Sequence, residues 1–362
     1  MRAVRLVIAL KRAAQAIGIR PRSADVYVDC IGDWRYPTYL VHALRTCGVR
    51  VLEVPQGEAI AAWGADGFRN FVFRTRFASE RDRATAPVVI ARDPDLIAGE
   101  RRSRVRVSVD WFSHDVPDGD MVMPYFPAEE YWDHESEVAD LRLARRPFRI
   151  GFAGSTGDEV YTEHLSFPLL GRQDVLATVR EHFSGRMAEI GSPAEFESID
   201  LSSTPIVFAT ARARRHMRTT HVLDTSEYLA FLGRCDFFLA PPGFMMPVCH
   251  NLTEAMALRS IPILNYAEWV RPPLEDGVSC ISFSTPDDLV AAIERVLSMT
   301  DLEIEEIRSG VAAYSDEHLS VDGFARRLCP VLDSSPTIVV NAEKDTVARW
   351  RERQSGSRIS GR

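Results

Sequence analysis

The six cysteines (Cys30, Cys47, Cys235, Cys249, Cys280 and Cys329) include no C-x-x-C pair. Metal sites and disulfide frameworks ask for closer spacing or a secreted context. The cysteines therefore read as reduced, cytosolic thiols, and no metal site is expected. Positive charge is not in excess either. With 43 Lys and Arg against 51 Asp and Glu, the formal net charge is −8, which argues against a nucleic-acid partner. No run of about 18 apolar residues occurs, so no transmembrane helix is expected. No G-x-G-x-x-G opens a helix, which leaves a dinucleotide cofactor without support. Core material is not lacking: 362 residues with 46% hydrophobic content suit two soluble domains.

The opening MRAVRLVIALKRAAQAIG is the one segment that bears on membranes. Arg2, Arg5, Lys11 and Arg12 interrupt or flank a short apolar stretch, and a small-residue cleavage site is missing, which argues against a signal peptide. Two readings stay open. Residues 1–18 form a basic amphipathic helix in peripheral contact with an anionic membrane, or an ordinary helix packed on the first domain. The expected location is cytoplasmic, at the inner membrane face under the first reading.

Along the chain, strand and helix patterns alternate. VYVDCI reads as a strand, YLVHALRTCG as an amphipathic helix closed by Gly48, and VRVLEV as a second strand. Further strands are expected at Asn70–Arg74, Pro87–Ala91 and Arg104–Val109. A Pro- and aromatic-rich connection follows, and the boundary is placed near Arg145. FRIGFAG then begins a second run: a Gly-rich loop, a helix over Gln173–Phe183, a strand over Ile206–Ala209, and a cap at Asp224 before SEYLAFLGRC. The expected domains are 1–145, 146–335, and a C-terminal helix with a loose basic tail over 336–362.

The centre of the second run is CDFFLAPPGFMMPVCHNLTEAMALRSIPILN, from Cys235 to Asn265. It reads as strand, Pro- and Gly-rich loop, helix and strand, the unit of a parallel α/β sheet. Such sheets bind ligands at the carboxyl ends of their strands, where helix N-termini offer N–H groups to anions. The order P-x-G, H-N-x-x-E-A, I-P-I and then P-L resembles the donor-binding half of GT-B glycosyltransferases, most closely the exostosin-like branch. The resemblance covers about the second half of the chain. It implies an α/β, GT-B fold with two Rossmann-like domains facing a central cleft: an N-terminal acceptor-binding one and a C-terminal donor-binding one.

It also implies residue roles. A departing nucleoside diphosphate needs cations and helix N-termini where no metal serves. The run Arg212, Arg214, Arg215, His216, Arg218 offers cations, and the resemblance favours Arg218, then Arg215. Glu254 would accept the ribose hydroxyls, with His250 and Asn251 near the phosphates and Gly243 letting the backbone approach. The bland alternatives are a solvated basic loop and a first-turn Glu that complements the helix dipole. Many retaining GT-B enzymes carry E-x7-E, but the residue eight before Glu254 is Met246. That resembles the inverting arrangement, in which a first-domain base deprotonates the acceptor hydroxyl. Asp33, just past the first strand, is the foremost candidate, and Asp110, His114 and Asp115 in VDWFSHD are its rivals. Asp93-Pro94-Asp95 and Asp118-Gly119-Asp120 look like the D-x-D of metal-dependent transferases but read as turn chemistry.

The resulting expectation is a metal-independent, inverting glycosyltransferase, without cofactor, moving a sugar from a nucleotide sugar to a glycan or lipid-linked acceptor in surface polysaccharide synthesis. The competing expectations are a nucleotide-sugar epimerase of the same fold and a non-catalytic partner subunit.

Overall fold

The computed structural model describes residues 26–29, 35–49, 51–53, 86–91, 103–109, 120–127, 131, 134–155, 169–200, 203–211, 222–243 and 247–340. These form two compact units. The first joins the residues up to 127 with 320–340, and the second runs from 131 to 319. The boundary expected near Arg145 thus falls earlier, and the chain returns to the first unit near its end. Among the described residues, no helix is long and apolar enough to cross a membrane.

The first unit holds β1 (Val26–Asp29), α1 (Arg35–Thr46), β2 (Val51–Glu53), β3 (Val88–Ala91), β4 (Ser103–Val109) and β5 (Met121–Val122). β1 pairs in parallel with both β2 and β3, so the expected βαβ start is present. Helix α1 ends as its sequence predicts. Gly48 takes a φ of +72°, and its N–H donates to Arg45 O at 2.8 Å while Val49 N–H donates to Leu44 O at 3.1 Å. Valine-rich β3 is buried along its whole length, as a parallel strand covered on both faces must be.

The C-terminal segment differs from expectation. Thr337–Val340, placed in a terminal helix by the sequence reading, is a strand, β12. Its TIVV run is β-branched and suits a pleated, buried place. β12 lies between β4 and β5 and is parallel to both. The carboxylate of Asp120, from one of the D-x-D triplets, accepts from Thr337 N–H at 3.1 Å and so anchors this strand. Before it, α8 (Val321–Leu328; α2 to α7 follow below) places Phe324 against Tyr39 of α1, with ring centroids 5.7 Å apart.

That packing brings together two cysteines 282 residues apart, and Cys47 and Cys329 form a disulfide. The reading of reduced thiols is corrected for this pair. The two lie too far apart in sequence for spacing to reveal the bond. Cys235, Cys249 and Cys280 are free.

The second unit begins with the short helix α2 (Val138–Arg142) and β6 (Phe148–Ser155). Then come α3 (Arg172–Phe183), β7 (Met187–Ile190), β8 (Ile206–Ala211), α4 (Thr225–Gly233), β9 (Cys235–Leu239), α5 (His250–Ala257) and β10 (Ile261–Leu264). β11 (Ile281–Ser282), α6 (Pro286–Ser298) and α7 (Asp301–Tyr314) complete it. The sheet order is β11-β10-β9-β6-β8-β7, all parallel. Strand β7 was not foreseen from the sequence.

The helix starts follow the predicted caps. Asp224 and Glu227 cap α4 reciprocally, at 2.8 and 2.9 Å. Thr285 and Asp288 do the same for α6, at 3.0 and 3.1 Å. The far end of α5 is held by arginines. Arg142 Nε donates to Ala257 O at 2.6 Å, and Arg146 reaches Leu258 O at 2.7 Å and Cys235 O at 2.5 Å. The bonds to Ala257 O and Leu258 O satisfy carbonyls that the end of α5 leaves without intrahelical partners, and the bond to Cys235 O ties the start of β9 to the same arginine.

Candidate functional site

In the second sheet β6, β9 and β10 are neighbours and parallel. Their carboxyl ends therefore share one edge, and α3 and α5, which lead back across the sheet, both start there. Four segments meet at this edge: the end of β6, the Ala240–Gly243 turn after β9, the first residues of α5, and Arg172 at the start of α3.

Hydrogen bonds fix the arrangement. Asn251 Nδ2 donates to Ala153 O at 3.2 Å, tying the first turn of α5 to the end of β6. Arg172, only 4% exposed, donates from Nε to Pro242 O at 3.2 Å. Gly154 sits between these groups. A β-carbon on it would lie 3.4 Å from Asn251 Nδ2 and 3.7 Å from Arg172 Nη1. The end of β6 thus lies close to a buried guanidinium and to the first turn of α5. After β10, Asn265 Nδ2 donates to Leu170 O at 3.0 Å, bringing a third side chain to this edge, just before the start of α3.

Electrostatics tie the same residues together. Burial pushes the Cys249 thiol up, and the nearby Arg172 charge works against that shift. The phenol of Tyr266 is raised by burial and by Cys249, again opposed by Arg172. Tyr228 is raised by burial and then by the charge of Glu254. The guanidinium of Arg172 thus lies within electrostatic reach of Cys249, Tyr228 and Tyr266, and the Glu254 carboxylate within reach of Cys249 and Tyr228.

The expected donor-site residues fall as follows. His250, Asn251 and Glu254 share α5, and Gly243 lies in the loop leading to it. Glu254 is 2% exposed and occupies the second turn, since no acid stands in the first. The dipole-complement reading of Glu254 therefore does not apply. The N–H of Gly243 donates to Pro247 O at 2.9 Å, so it closes its own loop. Arg215 and Arg218, and the base candidates Asp33, Asp110 and His114, lie outside the described residues. The strands that precede Asp33 and Asp110 in sequence, β1 and β4, are parallel and flank β3 in the first sheet.

Sequence reasoning missed Arg172, Asn265 and Tyr266. Arg172 opens a helix in a polar stretch, with nothing in its neighbours to mark it as buried. Asn265 and Tyr266 carry a weak signal, as the first residues after a buried strand in a sheet whose function lies at strand ends. Among the described residues no group of three or more His, Cys, Asp and Glu side chains could hold a metal ion.

No protein-family model matches the chain, and no curated protein matches it. Solved structures do. Anabaena Alr3699/HepE in complex with UDP superposes with a TM-score of 0.50 at 12% identity, covering 86% of this chain and all (100%) of that one. AviGT4, a glycosyltransferase involved in avilamycin A biosynthesis, gives a TM-score of 0.39 at 12% identity over 85% of this chain and 96% of its own. Sucrose-phosphate synthase from Thermosynechococcus elongatus gives 0.37 at 12% identity, over 92% and 78%. The fold is the α/β GT-B type with two Rossmann-like domains. None of the three structures points to an exostosin-like branch.

Proposed function

We propose that the carboxyl edge of the second sheet binds the diphosphate of a nucleotide sugar, and that the protein is a glycosyltransferase. The observation that carries this reading is the buried guanidinium of Arg172, set beside Gly154 and Asn251 where α3 and α5 both begin. A buried cation next to two helix N-termini suits a group with two negative phosphates. The HepE structure superposed on this chain contains UDP, which supports the same ligand class.

The roles follow from chemistry. Arg172 and the α5 N-terminus meet the charge that develops on the departing diphosphate. Glu254, a carboxylate on the same helix, accepts from the ribose hydroxyls. Arg215 and Arg218 remain candidates for further cations. With Met246 in place of a second glutamate, transfer is taken as inverting, and it is taken as metal-independent because cations and helix N-termini would meet the departing diphosphate. The base is drawn from Asp33, Asp110 and His114 of the first unit. The exostosin-like affinity rests on the order P-x-G, H-N-x-x-E-A, I-P-I alone. A glycan or lipid-linked acceptor in surface polysaccharide synthesis, and peripheral membrane contact through residues 1–18, complete the proposal.

The test is thermal unfolding against UDP, GDP, ADP, CDP and dTDP. A ligand that binds only the folded chain at about 100 times its Kd stabilises it by about 2.7 kcal/mol. One or more nucleotides should raise the midpoint. A midpoint unmoved by all five contradicts the proposal.

A further inference from the structure

We propose that Asn265 is a specificity-determining residue of this site, accepting a hydrogen bond from an N–H or O–H of the group that the diphosphate carries. The proposal rests on the nucleotide-sugar reading above and adds to it which part of the ligand is read at β10.

The orientation of the Asn265 amide is fixed by its neighbour. Leu170 O lies 3.0 Å from Nδ2, and a carbonyl oxygen can only accept. The amide nitrogen must face it, so Oδ1 faces the other way. Asn265 is 6% exposed, and its Oδ1 has no hydrogen-bond partner among the described residues. The next residue repeats the pattern: Tyr266 is 0% exposed and its hydroxyl likewise has no partner among them. Buried polar atoms are normally satisfied, so an unpartnered acceptor on the first residue past β10, at the carboxyl edge of the sheet, calls for an explanation in terms of what binds there.

The chemistry of the oxygen narrows that partner. A phosphate oxygen is itself an acceptor and repels an amide oxygen. Oδ1 therefore does not serve the diphosphate, although the other end of the same amide is tied two residues before Arg172. It requires a donor: a ring N–H of the base, or a hydroxyl of the ribose or the transferred sugar. The Asn265 side chain thus distinguishes the attached groups from the anion that links them.

The experiment is titration calorimetry with wild type, Asn265→Leu and Asn265→Ser. The probes are inorganic pyrophosphate, the nucleoside diphosphate that most stabilises the wild type, and its glucose conjugate. Thermal unfolding of each variant checks the fold, and the smaller, still polar Ser serves if Leu lowers the midpoint. We expect about tenfold weaker binding of a nucleotide probe, the worth of one hydrogen bond, with pyrophosphate unchanged. A loss already seen with the nucleoside diphosphate places the donor on the nucleoside. A loss confined to the conjugate places it on the sugar. Equal loss for all three probes, or no loss for any, overturns the proposal while leaving the site intact. Failure of the wild type to bind any probe would instead overturn the site itself.

Discussion

The guanidinium of Arg172 and the carbonyl of Pro242, 70 residues apart in the chain, are joined by a 3.2 Å hydrogen bond from Nε. It links the first residue of α3 to the Pro-Pro-Gly turn after β9. One side chain thus holds the turn and carries a buried positive charge beside Gly154. Charge-assisted hydrogen bonds contribute about 1.5–3 kcal/mol each. Arg172→Ala should therefore weaken nucleoside diphosphate binding by about ten- to a hundredfold, measured by calorimetry. Arg172→Lys keeps the charge but loses the planar fork, and should fall between the two. Equal affinity in all three proteins would remove Arg172 from the site.

Glu254 is assigned to the ribose. Wild type should prefer a nucleoside diphosphate over its 2′-deoxy form, and Glu254→Gln should bind both about equally, by competition calorimetry. A preference that survives the substitution would return Glu254 to a purely structural role with Tyr228, whose phenol its charge raises.

Much of this site was legible in the sequence, and the exceptions have physical causes. The strand-loop-helix-strand order around Cys235 to Asn265 could be read because short apolar runs, a Pro-Pro-Gly stop and a stretch of helical composition follow local rules. Glu254 and Asn251 came with it. Arg172 did not, because a lone arginine at a helix start is ordinarily solvated and only tertiary packing buries it. β12 was missed for a related reason. Thr337 and the three apolar residues after it, near a charged tail, carry too little periodicity to show that they fill a place between β4 and β5, more than 200 residues earlier in the chain.

The Cys47–Cys329 disulfide closes a loop with a sequence separation of 282 residues. Cross-linking so long a loop constrains the unfolded chain and stabilises by up to about 5 kcal/mol. Dithiothreitol, or Cys329→Ser, should lower the denaturation midpoint and speed proteolysis between α7 and β12. An unchanged midpoint would show that the packing of Phe324 on Tyr39 holds this segment unaided.

The pH response follows from the buried thiols. The Cys280 thiol is raised from 9.0 to about 12, first by burial and then by Asp276, while burial also raises Cys235 and Cys249. A raised thiol favours its neutral form in the fold, so its stabilising contribution is complete below pH 9 and lost as pH climbs towards 12. Arg146, lowered to about 10 chiefly by burial, acts with the opposite sign but only above that pH. Between pH 9 and 10 stability should therefore fall, by about 1 kcal/mol from Cys280 alone, in urea melts. A flat or rising profile there would contradict the burial of these thiols.

The most direct measurement is a crystal structure with the best-binding nucleoside diphosphate. The account predicts phosphate oxygens within hydrogen-bond distance of the Arg172 guanidinium and the backbone N–H groups that open α5, with the ribose at Glu254. A nucleotide seated away from Arg172 and from the first turn of α5 would contradict it.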